Sequence, residues 1–249
     1  MRIEILYPEV CNLYGDLQNI EYLKRSCSDI EVIHTDLHTK PVFLSEKVDM
    51  VYMGTTTESS QERVLNALSP YKDELSKAID DGQFIFLTGN AAEVLGEYIQ
   101  NEDGSKIECL GLLPTYAVRD MMHRYNSLWI GQFSDEAKNV EKLDIVGFKS
   151  QFTHSYFTEN SVDNTPSSLF TTERGDGINK GTKAEGIRKN NLFVTYLLGP
   201  LFIINPLFTE YILGLLGVEE PKAAYKDAAM DSYKKRVDEF RDMNRGFTY

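Results

Sequence analysis

Short apolar segments alternate with amphipathic ones through the first hundred residues, and this order restricts the folds open to the chain. Residues 84–87, FIFL, are four consecutive apolar residues, which suit a strand buried on both faces of a parallel sheet. Similar strand candidates lie at residues 2–7, 30–34 and 50–54, with helical segments between them. The alternation predicts an α/β fold whose central sheet is mostly parallel.

A sharp turn follows the strand at residues 84–87, and this turn (residues 88–90) is called the elbow below. A helix is predicted after the elbow, over about residues 91–98. Strand-to-helix turns of this kind often present a reactive side chain at their tip. Here the tip holds Gly89, which has no side chain to present.

The second half of the chain is richer in strand candidates, and the chain ends in a charged helix. Strands are predicted at SLWIGQF, LDIVGFKSQF, SLFTT, EGIRKNN and LFVTYLL, and an exposed polar loop over residues 161–168. The terminal helix is predicted over about residues 222–245. Its apolar side chains form one stripe at helical spacing: Ala229, Tyr233, Val237 and Phe240. We expect this stripe to pack on the chain's own core, with a partner surface as the alternative.

The sequence contains no evident linker, so a single domain is predicted over residues 1–249. The 26 basic residues are outnumbered by 38 acidic ones, giving a formal net charge of −12. This balance argues against nucleic acid as the main ligand, because phosphate binding needs a basic surface.

The cysteines and the uncharged segments predict a cytoplasmic protein that is not inserted in a membrane. Cys11, Cys27 and Cys109 form no CxxC motif and no even set, which indicates free thiols in a reducing compartment. The N-terminus lacks the apolar run of a signal peptide. Residues 190–209 carry no charge, but Gly199-Pro200 interrupts them, so a buried strand, a loop and a helix are predicted there.

Four stretches, taken in order, resemble a known family. They are CNLYGDLQNI (11–20), VYMGTTTESSQE (51–62), FLTGNAAEVLG (86–96) and EGIRKNNLFVTYLLGPLFIINP (185–206). Together they resemble the CobB/CobQ-type class I glutamine amidotransferases, and most closely the amidotransferase subunits of lipid II isoglutaminyl synthases. The resemblance covers roughly residues 1–217. It implies a three-layer αβα fold around a central, mostly parallel sheet.

The family releases ammonia from glutamine by means of a cysteine and a histidine. A thiolate attacks the amide and the histidine moves the proton. In the family's A-I-C-G-G-Y-Q-L-L-G pattern, alignment on the shared Leu-Gly pair places Gly89 where the cysteine belongs. In its T-Y-L-H-G-P pattern, Leu198 stands where the histidine belongs.

A third departure lies in the loop that supports the oxyanion in the family, G-G-G-Q-D. Gly54 is retained, but Thr55 and Thr56 replace glycines that let backbone N–H groups approach the oxyanion. The members of such a catalytic group fail as a unit, so three departures in one mechanism predict no glutaminase activity.

The resemblance also places candidate pocket residues, while the sequence offers few replacements for the missing groups. The candidate pocket residues are Thr88, Asn90, Glu93, Arg119 and Arg124. Glu93 stands where the family has a glutamine, and we expect it to make the pocket more acidic. Thr88 and Cys11 are the weak candidates for a substitute nucleophile, and the better reading of Thr88 is a strand-end residue bonded to local backbone.

The spacing of the histidines predicts no metal site, and no cofactor is expected. His34 and His38 are four residues apart, but they flank a strand-to-loop segment where helical spacing does not apply. His154 follows a stretch that resembles the family's G-F-E-N-H segment, whose histidine falls at Gln151.

Three functions remain open, in this order of preference. The first is a non-catalytic partner or regulatory subunit of a Mur ligase-like enzyme in the amidation of a cell-wall precursor. The second is an enzyme with altered chemistry on another amide or small molecule, using Thr88, Cys11, Arg119 or Glu93. The third is a sensor that binds a small molecule without turnover. A cobalamin-like pathway is the alternative to the cell-wall setting.

Overall fold

The computed structural model describes residues 1–158 and 166–248. In these ranges the strands are β1 (Arg2–Leu6), β2 (Glu31–Thr35), β3 (Met50–Met53), β4 (Ile85–Thr88), β5 (Tyr98–Gln100), β6 (Lys106–Glu108), β7 (Thr115–Arg119), β8 (Tyr125–Asp135), β9 (Val140–Gln151), β10 (Thr153–Phe157), β11 (Phe170–Arg174), β12 (Ala184–Glu185), β13 (Ile187–Lys189) and β14 (Leu192–Thr195). The helices are α1 (Gln18–Ser26), α2 (Glu58–Leu68), α3 (Lys72–Asp80), α4 (Leu201–Ile204), α5 (Pro206–Leu215) and α6 (Lys226–Arg241).

The central sheet confirms the predicted α/β class. Its strand order is β13-β14-β4-β3-β1-β2, and all neighbours are parallel except the edge strand β13. Met53 pairs with Leu87, and Thr88 pairs with Thr195, so β3, β4 and β14 end at the same edge. Loops that follow these strands therefore meet at the carboxyl edge, where open α/β sheets bind ligands.

Successive side chains of the central strands point to opposite faces of the sheet, so they are buried in two separate cores. Tyr52, Phe86 and Phe193 face a core shared with α1, α4, α5 and the β8–β9 hairpin. Val51 and Leu87 face a second core shared with α2 and α3. Elements thus cover the sheet on both faces, which confirms the layered arrangement.

Two further sheets extend the domain beside the central one. One has the strand order β10-β7-β5-β6 and the other β12-β11-β8-β9. On the second of these, α6 packs with Tyr233 and Val237 against Ile130 and Val146. The apolar stripe of the terminal helix therefore packs on the chain's own core, as expected, and the helix is shorter than the predicted 222–245.

The helix predicted over residues 91–98 is wrong. A 3-10 helix spans Gly89–Leu95, and Tyr98 already begins β5. The carbonyls of the 3-10 segment accept bonds from a later segment: Leu110 donates to Val94 at 3.0 Å, and Leu112 to Leu95 at 2.8 Å. These tertiary bonds take the acceptors that a continuing helix would need.

The uncharged run at residues 190–209 forms β14, α4 and the start of α5, as predicted. Among residues 1–158 and 166–248, no helix is both long enough and apolar enough to cross a membrane. The polar loop expected over residues 161–168 lies mostly outside the described ranges, and the prediction of a single domain stays a prediction.

Candidate functional site

The elbow places Gly89 at the carboxyl end of β4 in the left-handed region, with φ of +60°. Side chains other than that of glycine seldom adopt this conformation. Thr88, the last residue of β4, is fully buried, and its hydroxyl contacts the Tyr52 hydroxyl at 3.1 Å. The expected bond of Thr88 to local backbone is replaced by this side-chain partner from β3.

The side chain of Thr55 fills the space beside Gly89. A Cβ built on Gly89 would lie 2.0 Å from Thr55 Oγ1 and 2.7 Å from its Cγ2. Both distances are far shorter than any van der Waals contact. The residue that stands in place of a family glycine thus occupies the position that a side chain at the elbow would need.

Asp16 joins three loops at the carboxyl edge. Its buried carboxylate accepts the backbone N–H of Thr55, and it accepts that of Gly199 at 2.7 Å. A Cβ on Gly199 would lie 2.6 Å from Asp16 Cα, so glycine permits this close approach. Burial raises the pKa of Asp16, while the hydrogen bonds from Thr55 and Gly199 oppose that rise.

The loop that contains the threonines (residues 54–57, called the threonine loop) is also fixed to the elbow. Thr56 N donates to Asn90 Oδ1 at 3.0 Å, and Asn90 Nδ2 donates to Thr56 O at 2.9 Å. Because Thr55 N is held by Asp16, both of these backbone N–H groups are already bonded. Asn90 was predicted as a pocket residue, and its amide serves this reciprocal pair.

A cavity of about 130 Å³ lies at the carboxyl edge between these loops. Seven of the predicted site residues line it: Thr55, Thr56, Gly89, Asn90, Glu93, Arg124 and Leu198. Gly54, Thr88 and Arg119 do not line this cavity. Leu198 is buried, so an aliphatic side chain forms the wall where the resemblance implies a proton-transferring group.

Glu93 is the buried acid of the cavity. Its Oε2 accepts from Gln61 Nε2 and its Oε1 from the Tyr196 hydroxyl, each at 2.8 Å. Burial raises its pKa to about 7, against the lowering effect of these two hydrogen bonds and of Arg119. Near neutral pH this carboxyl group therefore carries only part of a negative charge, and the more acidic pocket stays a prediction.

Arg119 and Arg124 have different surroundings. Arg119 is buried and donates to Gln61 Oε1 at 2.8 Å, so it supports the partner of Glu93 instead of binding a ligand directly. Arg124 is exposed at the mouth of the cavity, where it donates to the Tyr14 hydroxyl and lies over the Phe152 ring. Arg124 is thus a solvent-exposed cation at the mouth of the cavity.

A fully buried ion pair supports the opposite wall. Lys149 Nζ lies against the carboxylate of Glu185 and donates to Gly177 O at 2.5 Å. Glu185 Oε1 accepts from Tyr196 N and from Thr195 Oγ1, both at 2.8 Å. The pair therefore fixes the backbone of Tyr196, whose hydroxyl reaches Glu93.

Four polar atoms of residues in the cavity wall lack hydrogen-bond partners among the described residues: Thr55 Oγ1, Thr56 Oγ1, Gln151 Oε1 and Thr153 Oγ1. Gln151 Nε2 donates to Thr153 O at 2.7 Å, which fixes the orientation of the Gln151 amide. Both residues line the cavity. Buried polar atoms are nearly always satisfied, so these four atoms call for an explanation.

The substitute nucleophiles considered above are poorly suited to that role. Cys11 is fully buried, and burial raises its pKa to about 12, so its thiol stays protonated near neutral pH. Thr88 is bonded to Tyr52 and does not line the cavity. Within residues 1–158 and 166–248, no cluster of His, Cys, Asp and Glu could hold a metal ion.

Several residues of the site were missed in the sequence. Asp16 lies in the quoted NLYGD motif and Tyr196 in TYLLGP, yet neither was given a role. Lys149 and Glu185 are single charges in or beside apolar strand segments, a pattern that is a usable signal for a buried pair. Gln61 carries no comparable signal.

Comparisons with known proteins agree with this architecture. The chain is 28% identical over 204 residues to "Lipid II isoglutaminyl synthase (glutamine-hydrolyzing) subunit GatD" of Staphylococcus aureus, covering 81% of this chain and 78% of that protein. It is 24% identical over 240 residues to the protein of the same name from Streptococcus pneumoniae, covering 91% and 86%.

Solved structures show the same fold at low sequence identity. The structure of PurLQS from Thermotoga maritima superposes with a TM-score of 0.54 at 12% identity, covering 95% of this chain and 98% of that one. The glutaminase domain of Trypanosoma brucei CTPS gives 0.52 at 12% identity, covering 94% of each chain. The CobB/CobQ-like glutamine amidotransferase domain matches residues 2–204, and the chain therefore belongs to the CobB/CobQ-like glutamine amidotransferase family.

Proposed function

We propose that this protein is a glutamine amidotransferase-like subunit without glutaminase activity. The observation that carries the proposal is the fit between Thr55 and Gly89. The Thr55 side chain occupies the space in which a nucleophilic side chain on the elbow would stand. In this proposal the elbow carries no nucleophile, and Thr55 fills the space that one would need.

Two further features of the site support the same conclusion. The N–H groups of Thr55 and Thr56 are bonded to Asp16 and Asn90, so they do not stabilise an oxyanion. Leu198 contributes an aliphatic wall and can neither accept nor donate a proton. Attack, proton transfer and charge stabilisation each lack their usual group.

The retained fold supports a role in an assembly. The two relatives are named as subunits of lipid II isoglutaminyl synthase, and they match 78% and 86% of their own lengths. By this likeness, we propose that the protein binds a Mur ligase-like enzyme in the cytoplasm and supports the amidation of a cell-wall precursor. That enzyme would take its ammonia from solution.

The decisive assay is glutamate release from L-glutamine by the purified protein, alone and with a Mur ligase-like candidate partner. We expect no release above the buffer rate in either setting, together with complex formation at micromolar concentration. Release that disappears in Cys11→Ala or Thr88→Val would overturn the proposal and favour an enzyme with a substitute nucleophile. Failure to bind the partner, with glutamine unhydrolysed, would remove the subunit role alone.

A further inference from the structure

The cavity at the elbow is closed to a side chain at position 89, yet it remains a polar space. About 130 Å³ is several times the volume that one water molecule occupies in the liquid, roughly 30 Å³. Its wall combines a buried carboxyl group, Glu93, with apolar side chains from Leu13 and Leu198. A ligand that suits both would carry one polar head and a short hydrocarbon tail.

The polar wall favours a ligand that donates hydrogen bonds. Gln151 Oε1 can only accept, and it has no partner among the described residues. Thr153 Oγ1, which is also unpaired there, can accept as well. Each Glu93 oxygen accepts one bond from protein and keeps a further lone pair. A primary ammonium group supplies three donors and one positive charge.

We propose that this cavity binds a small primary alkylammonium ion, with its charged head toward Glu93 and Gln151 and its tail against Leu13 and Leu198. The proposal goes beyond the loss of glutaminase activity and uses the same cavity. It assigns the site a ligand class that differs from a carboxamide. This difference in ligand class comes from the carboxyl group of Glu93, which stands where the resembled family has a glutamine.

The charged and titratable groups around Glu93 determine which of them a change in affinity with pH would report on. Arg119 on β7 and Glu58 on α2 act on it electrostatically, Arg124 lines the same cavity, and Tyr196 bonds to it. Burial places the pKa of Glu93 at about 7, whereas burial moves that of Tyr196 well above its ordinary value. Glu93 therefore changes charge near neutrality while Tyr196 does not.

Other titratable groups near the cavity can be distinguished from Glu93 in a pH series. Burial lowers the pKa of His154, which contacts Gln151 Nε2, so this ring is neutral near pH 7. Cys109 has its pKa raised to about 12 by burial. His123 is exposed in the loop beside Arg124 and pairs with Asp120, so His123→Asn serves as its control.

The test is titration of the protein with n-propylammonium chloride, followed by NMR chemical-shift changes. Propionamide is the neutral control of similar size. We expect a dissociation constant on the order of millimolar for the ammonium ion, a realistic value for a ligand of four heavy atoms. We also expect at least tenfold weaker binding of propionamide and affinity that rises from pH 6 to pH 8 in the natural protein and in His123→Asn.

A matched variant supplies the second readout. Glu93→Gln has a neutral amide of the same length, and it should lose at least tenfold in ammonium affinity together with the pH dependence. Equal binding of propionamide, or affinity that does not change with pH in the natural protein, would overturn the proposal even if the variant failed to fold. If n-propylammonium caused no NMR chemical-shift change, water would be the occupant of the cavity and the proposed ammonium site would be overturned. That result would not bear on glutamine hydrolysis.

Discussion

A side chain added at Gly89 should destabilise the protein chiefly through its contact with Thr55. In Gly89→Ala, the new Cβ meets Thr55 Oγ1 at 2.0 Å and Thr55 Cβ at 2.8 Å before relaxation. Overpacking of this kind costs about 1–3 kcal/mol, and the left-handed backbone adds about 1–2 kcal/mol. The expected loss in the free energy of unfolding is therefore about 2–5 kcal/mol.

The two contributions can be separated with controls from the same chain. Gly104 also has positive φ, +83°, but no atom lies within 4 Å of its built Cβ, so Gly104→Ala reports the backbone cost alone. Thr55→Gly removes the clash, whereas Thr55→Ala retains the Cβ that would lie 2.8 Å away. In a Thr55→Gly background, Gly89→Ala should cost only what Gly104→Ala costs.

Urea unfolding of the four proteins in this double-mutant cycle measures the coupling between positions 55 and 89. Residues in direct contact couple by about 0.5–3 kcal/mol, and we expect a value above about 1 kcal/mol. The melting temperature should fall by roughly 2–4 °C for each kcal/mol lost. If Gly89→Ala lowered the free energy of unfolding equally in both backgrounds, Thr55 would not fill the elbow. The main support for the proposed absence of glutaminase activity would then fail.

Three further predictions follow from the buried charges and thiols. Lys149→Met leaves Glu185 buried without its partner, so urea unfolding should show a loss of about 3–5 kcal/mol in the free energy of unfolding. Much of this loss should be recovered in the double variant Lys149→Met/Glu185→Leu, and equal losses in the single and double variants would contradict an ion pair. Folding raises the pKa of Glu93 to about 7, so its contribution to stability is fully present below about pH 4.5 and is lost as the pH rises through 7. Glu93→Gln should lack this part of the pH dependence of stability, and an unchanged profile in the variant would disprove the raised pKa of Glu93. At pH 8, iodoacetamide should modify the half-buried Cys27 long before Cys11, as read by mass spectrometry of peptides, and early labelling of Cys11 would contradict its burial.

The sequence predicted the fold well because its strongest signals are local. Apolar runs such as residues 84–87 and 192–195 became central strands, since four buried residues in a row suit a parallel sheet. The helix predicted after the elbow was wrong because hydrogen bonds from residues 110–113 end it at Leu95. Such bonds join segments that are adjacent only in the folded chain.

Motif alignment located the positions that depart from the family pattern, whereas the contacts of the site were much less predictable. Gly89, Leu198 and the two threonines were located by motif, and they do line one cavity. The sequence could not show that Thr55 and Gly89 fit each other, because this depends on backbone positions in two loops. The same holds for Asp16, whose partners are 39 and 183 residues away along the chain.

The way in which Asp16 holds its loops bears on how such a protein can change over evolution. Its carboxylate accepts the main-chain N–H groups at positions 55 and 199, and at position 55 every residue except proline would supply that N–H group. Anchoring is thus independent of the side chain carried at position 55. The side chain at position 55 could therefore change while the scaffold kept its shape, and a cysteine at position 89 would require position 55 to change first.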